Sequence, residues 1–250
     1  MAQPLAGVRI ADFSHVIAGP LATQFLCLLG AEVIKIEPPA GDAMRYYTRA
    51  EARRGMAEPF VGANAGKKSV VLDVKQPEDL KLLHALLATA DVFVENFRDE
   101  TLATMGLAAE QLRDAYPRLI VASCKGFLKG PYEHRAAMDE VVQMMTGMAY
   151  MTGPTGRPLR IGSSANDIMG GLFTAFGVLA SLIAREKSGE GASVRSGLFE
   201  NCLLLVAQHM VQFDIEGTES PPMPERVFSW PVYDLFPTAD GRQIFVGAAT

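Results

Sequence analysis

Five short, almost uninterrupted apolar runs constrain this chain more than any other feature: residues 8–13, 32–37, 69–74, 91–96 and 118–124. Strands read this way when both of their faces are covered. Helical patterns separate them at residues 20–29, 77–90 and 108–116. The alternation predicts βαβ units around a parallel sheet with flanking helices, an α/β fold. With 250 residues, 49% hydrophobic and 20% charged, the chain can bury a sizeable core without disulfide or metal staples.

The second half reads as more helical. One helix is expected over residues 138–151, a second over 166–187 and a third over 197–215. Residues 216–228, with their prolines and glutamates, read as a linker. Residues 1–215 then form a large domain and residues 229–250 open a smaller one. In the latter, residues 232–236 and 243–247 flank Asp240-Gly241, a hairpin signal.

The net charge of −5 argues against a general nucleic-acid or anionic-membrane binder. Cys27, Cys124 and Cys202 are scattered and odd in number, which fits a reducing compartment and a cytoplasmic protein. The first residues lack a basic stretch followed by an apolar one, so no secretory leader is expected. The longest apolar run, residues 168–184, contains glycines and meets Arg185-Glu186-Lys187. It is not expected to span a membrane.

Two nucleotide motifs fail on inspection. Ser14 to Pro20, after the first strand, holds no G-x-G-x-x-G. Gly62 to Ser69 approaches a P-loop, but its glycine spacing is one short and it precedes a strand, so it reads as a basic turn. His15, His84, His134 and His209 form no pair at metal-ligand spacing. His15 alone follows a strand at the sheet edge where open α/β folds bind ligands.

Asp167 is the strongest single candidate. It opens a long apolar helix after a loop of small polar residues, with Gly170 and Gly171 close by. A first-turn acid favoured by the helix dipole is the plainer reading. A carboxylate nucleophile rests on the same physics. Asp139 has the same two readings, and Asp12 looks like a buried structural acid. Lys75, Arg98 and Lys125 each follow a predicted strand, so three cations at one edge would suit a phosphate-rich ligand.

At this point the sequence resembles a known family. PLAGVRIADFSHVIAGPLATQFLCLLGAEVIKIEPPAGD, GKKSVVLDVK, DVFVENFR, YPRLIVASCKGF, GPY, ANDIMGG and LIAREKSGEGASVRSGLFE cover most of residues 4–200. Their order is similar to that of the family III CoA-transferases, the group of formyl-CoA and carnitinyl-CoA transferases and α-methylacyl-CoA racemases. The resemblance implies a Rossmann-like large domain, a smaller domain and an interlocked homodimer. It places the catalytic aspartate on Asp167. It places CoA contacts on Ile17, Ala18, Leu72, Asp73, Val74, Lys75, Asn96, Phe97, Arg98 and Lys125.

The activity so implied is transfer of CoA between an acyl-CoA and a free carboxylic acid. CoA is then substrate and product, with no tightly bound cofactor, no metal, no nucleic acid and no membrane. Formyl-CoA transferases carry glutamine at the position of Ile17 and arginine at those of Pro38 and Thr104. Racemases carry a catalytic histidine at the position of Met138, which ranks a racemase second. The family's chains are also longer, so this one reads as an N-terminal portion. An inactive CoA-binding fragment is therefore a third expectation.

Overall fold

The computed structural model describes residues 3–135, 137–226 and 232–248. Strands β1 (Arg9–Phe13), β2 (Glu32–Glu37), β3 (Lys68–Val71), β4 (Val92–Glu95), β5 (Ile120–Lys125) and β6 (Ser193–Gly197) form one parallel sheet. Helices α1 (Ala18–Leu28), α2 (Glu58–Asn64), α3 (Pro77–Leu87), α4 (Asp99–Thr104) and α5 (Ala109–Ala115) belong to its first half. They are followed by α6 (Asp139–Met145), α7 (Met148–Thr152), α8 (Ala165–Ser188) and α9 (Leu198–Glu216).

The strand order is β3-β2-β1-β4-β5-β6, so the chain reverses direction across the sheet between β1 and β4. Ala11 of β1 stands opposite Ile34 of β2 on one side and Phe93 of β4 on the other. In such a Rossmann-like sheet, the carboxyl ends of the two strands at the reversal diverge and leave a crevice.

Both faces of the sheet are buried, which accounts for the apolar runs. Ile10, Val92, Val94 and Ala122 pack with Leu26 of α1 and Val178 of α8. Ala11, Phe93 and Val121 pack with Leu83 of α3, Leu102 of α4 and Leu112 of α5. Gly171 sets the distance between α1 and α8. A Cβ there would meet Leu21 Cβ at 2.9 Å and the Ala18 carbonyl at 3.0 Å, so a larger residue would push the helices apart.

Two expectations need correction. β6 is an added sixth strand; its sequence, Ser-Val-Arg-Ser-Gly, is too polar to stand out, as suits a sheet edge. The helix expected over residues 138–151 is two helices, because Gly147 adopts a left-handed φ of +82° between α6 and α7. α8 runs 24 residues and is apolar and long enough to cross a membrane by length and composition. One face of it packs on α1, β5, β6 and α9.

The hairpin stands as its turn signal indicated, with β7 (Val232–Pro237) antiparallel to β8 (Gln243–Ala248). The described part of the 216–228 segment folds back on α9 and the loop after α7. Thr155 N–H donates to Glu225 Oε1 at 2.7 Å, and Arg226 lies 2.8 Å from His209 Nδ1. Residues 227–228 of that segment, and residues 229–231 and 249–250 of the expected smaller domain, lie outside the described residues.

Candidate active site

The crevice at the strand reversal opens into a cavity of about 930 Å³. Its walls come from the loop after β1, the start of α4 after β4, the end of β5, and the first turns of α6 and α8. Helix N-termini thus converge on it, each with a partial positive charge.

The loop after β1 is held at nearly every backbone group. Asn96 accepts the His15 N–H at 3.0 Å and donates to the His15 carbonyl at 2.8 Å. Lys35 Nζ donates to the Ser14 carbonyl at 2.8 Å and pairs with Asp42 at 3.0 Å, both side chains being almost fully buried. Asp42 in turn accepts the Val16 N–H at 3.2 Å. Val16 is held at φ +71°, a conformation that a β-branched residue avoids. The loop then enters α1 with the N–H groups of Ala18 and Gly19 unpartnered among the described residues. Burial and the Lys35 charge outweigh the pull of Asp42 and Asp12, keeping the His15 pKa below its ordinary value.

Beneath this loop, Asp12 is the structural acid the sequence indicated. It accepts from Ser14 N–H at 3.1 Å, Thr23 Oγ1 at 2.7 Å and Lys67 Nζ at 2.9 Å. Lys67 also donates to the Pro20 carbonyl at 2.8 Å and to Asn64 Oδ1 at 2.9 Å, so its ammonium is fully used. The segment read as a basic turn therefore delivers a buried counterion. Burial raises the Asp12 pKa, but Lys67, Lys35, Ser14 and Thr23 more than reverse this and leave it below the ordinary value.

Asp167 stands in the first turn of α8, on the cavity wall. Its position is set by Asp139, whose Oδ1 accepts the N–H groups of Asn166 at 2.7 Å and Asp167 at 3.3 Å. Asp139 is thus the N-terminal cap of a helix other than its own. Its second oxygen accepts from the fully buried Gln143 at 2.6 Å. No hydrogen bond reaches the Asp167 carboxylate among the described residues. Burial first, then the charges of Asp139 and Glu140, push its pKa up to about 7. The nearby Cys124 thiol is pushed up to about 12, chiefly by burial, and stays protonated at neutral pH.

The remaining sequence candidates divide. Ile17, Ala18, Asn96, Phe97, Arg98 and Lys125 line the cavity. Lys125 is engaged, with Nζ 2.8 Å from Glu95 and 2.9 Å from Asp99. Arg98 is exposed at the start of α4. Leu72, Asp73, Val74 and Lys75 stand apart from the cavity lining. They follow β3, the far edge strand, two places from the reversal. Leu72 is buried against the α3 side of the core, and the Lys75 side chain is exposed. Sequence reasoning missed Arg160 and Arg195, which line the cavity, and the Lys35–Asp42 brace below it.

Comparison with known proteins places these features in context. The family model for CoA-transferase family III matches residues 5–250. The succinate–glutarate CoA-transferase of Agrobacterium fabrum is 36% identical over 246 residues, 95% of this chain and 62% of that one. A formyl-CoA:oxalate CoA-transferase of Rhodopseudomonas palustris is 39% identical over 207 residues, 82% of this chain and 48% of that one. A CAIB/BAIF family protein from Brucella suis superposes with a TM-score of 0.90 at 33% identity, covering 96% of this chain and 65% of its own. The chain therefore spans less than two thirds of the length of these relatives.

Proposed function

This chain belongs to CoA-transferase family III, and on that premise we propose that the protein moves CoA from an acyl-CoA donor to a free carboxylic acid, with Asp167 as nucleophile. The observation that carries this reading is a carboxylate on the cavity wall with no hydrogen-bond donor of its own, positioned by a neighbour that is fully engaged. An anion stripped of partners is a better nucleophile than one that is solvated or paired.

In the first step an Asp167 oxygen attacks the thioester carbonyl, the C–S bond breaks, and CoA leaves as thiolate. The product is a mixed anhydride. The thiolate then attacks the aspartyl carbonyl, releasing the donor acid as carboxylate and leaving an aspartyl-CoA thioester. An acceptor carboxylate attacks that thioester and expels the thiolate again. Attack of the thiolate on the acceptor's acyl carbon gives the new acyl-CoA and regenerates Asp167. Each intermediate is an activated acyl group, so no ATP is consumed. The unpartnered N–H groups of Ala18 and Gly19 are candidates to stabilise the oxyanions.

For CoA itself, Ile17, Ala18, Asn96, Phe97, Arg98 and Lys125 are the proposed contacts, and Leu72 to Lys75 would meet only a part of the cofactor reaching past β2. Relatives named for succinate, glutarate and oxalate support a small carboxylic acid as acceptor. Residues 1–215 would form the CoA-binding domain and residues 229–250 the opening of the smaller one. A homodimer would cover exposed apolar side chains such as Phe176 and Ile183 on α8 and Ile215 on α9. Three free cysteines support a cytoplasmic setting. Met138, at the position of the racemases' base, offers no proton to exchange.

The test is to trap the intermediate. The natural full-length protein, incubated with an acyl-CoA and then hydroxylamine, should carry a hydroxamate on the Asp167 peptide. Asp167→Asn should lower transfer at least about 1,000-fold while CoA affinity stays within about threefold. A hydroxamate on Asp139, or near-native turnover in the variant, would falsify the assignment.

A further inference from the structure

Of the cations on the cavity wall, Lys125 and Arg195 are committed to carboxylates, while Arg98, Lys129 and Arg135 have no ion pair among the described residues and belong to the segments after β4 and β5. Lys125 holds Glu95 and Asp99, and Arg195 holds Asp99. Arg160 differs from all of these in place, and it keeps part of its guanidinium free. It lies in the loop between α7 and α8, the loop that leads into the turn carrying Asp167, and both residues line the cavity. Its NH1 group pairs with Glu140, while Nε and NH2 have no partner among the described residues. The side chain is nearly half exposed, so the unused edge of the guanidinium is open to a ligand.

The backbone on either side of Arg160 is pinned. Leu159 N–H donates to the Ala149 carbonyl at 3.0 Å, and Ile161 N–H donates to Gln143 Oε1 at 2.8 Å. The other end of the same Gln143 amide holds Asp139, which holds the first turn of α8. Arg160 and Asp167 are therefore both referenced to one buried side chain. Their separation is fixed by structure rather than by a mobile loop.

Electrostatics gives that separation a use. An acceptor acid must approach Asp167 as an anion, in the company of Asp139 and Glu140, whose charges already disfavour ionisation of Asp167. A second carboxylate, farther along the acceptor, would find in Arg160 a fork of two parallel N–H donors. We propose that Arg160 is a specificity-determining residue that reads the distal carboxylate of a dicarboxylic acid acceptor. The proposal rests on the CoA-transfer reading above.

The experiment compares matched acceptors in the natural full-length protein with one acyl-CoA donor. Succinate and glutarate are set against butanoate and pentanoate, which equal them in chain length. Arg160→Gln should lower kcat/KM for the dicarboxylates about 10- to 100-fold, mainly through KM, and for the monocarboxylates less than about threefold. Arg160→Lys should fall between, since it keeps the charge and loses the fork. An equal loss for both acceptor classes would mean that Arg160 only braces Glu140 and would overturn the proposal. So would a native enzyme that prefers the monocarboxylates, which would leave CoA transfer itself standing. Native protein that passes CoA to none of the four acids, nor to any other carboxylate, removes the underlying reading and the proposal with it.

Discussion

Asp12 and Asp167 are two sequestered acids on either side of one helix, and they are treated in opposite ways. Asp12, at the end of β1, is fully buried and receives donors from the backbone, two hydroxyls and a buried lysine. Asp167, on the helix packed against α1, receives none among the described residues. The first has its pKa held below the ordinary value and the second is pushed up to about 7. Burial alone therefore does not mark a functional acid. Burial without compensation points to a candidate, because the folded protein then bears a cost that protonation, a ligand or a reaction can relieve.

The largest expected effect comes from breaking the compensated side. Asp12→Ala strands Lys67 in the interior with a charge and no counterion, and should cost about 3–5 kcal/mol of folding stability. Urea denaturation at neutral pH measures this. Asp12→Asn, which retains part of the hydrogen bonding, should cost less. A loss under about 1 kcal/mol for the alanine variant would mean that Lys67 finds water, and the contrast with Asp167 would weaken.

This contrast also shows what a sequence can reveal. Strands 8–13, 32–37, 91–96 and 118–124 were legible because helices cover both faces of the sheet, leaving few polar positions to blur the pattern. The buried ions that interrupt them are paired: Asp12 and Glu95 with Lys67 and Lys125 far along the chain, Lys35 and Glu37 with Asp42 and Arg45 just downstream. Asp12 could be named as structural, but its partner could not. Lys67 sits in a glycine-flanked turn that looks solvated until the fold brings it across 55 positions to Asp12. Lys75, read as equivalent to Arg98 and Lys125, differs because strand order is invisible in the chain. β3 is an edge strand and β4 borders the reversal. Asp167 was singled out through helix-start position and family resemblance, and the structure puts it on the cavity wall. Arg160 gave no signal, since its placement depends on the Gln143 contact to Ile161.

On the uncompensated side, a smaller effect with a distinctive pH signature is expected. The folded pKa of Asp167 is about 7, against 3.8 for the free side chain. Between those values the folded protein retains a proton that the unfolded chain has lost, so stability falls as pH rises through this window. Above it the cost is complete. Asp12 behaves oppositely: its contribution is present above pH 3.8 and disappears as pH falls through its lowered folded value. Asp167→Asn should accordingly stabilise the fold by about 1–2 kcal/mol more at pH 8 than at pH 4, after allowance for partial solvent access. Equal effects at the two pH values would mean that the carboxylate is solvated. Transfer activity should rise with pH through the same window, because the anion is the attacking form.

The smallest effect is expected at Val16, in the loop that separates the two acids. Val16 sits at φ +71°, and its N–H is held by Asp42, itself clamped by Lys35. Such a conformation costs a β-branched residue about 1–3 kcal/mol. Glycine adopts it freely but gives the unfolded chain more freedom, which offsets about 0.4–1 kcal/mol of the relief. It also gives up the packing of a half-buried side chain. Val16→Gly should therefore leave stability unchanged or raise it by no more than about 1 kcal/mol. Asp42→Ala should be the more damaging change, because it leaves Lys35 buried without its counterion. If both variants lose stability to the same extent, the valine side chain rather than the ion pair beneath it holds the loop. The strained turn would then owe its shape to packing, and the Asp12 side of the molecule would reach the cavity less directly than the hydrogen bonds imply.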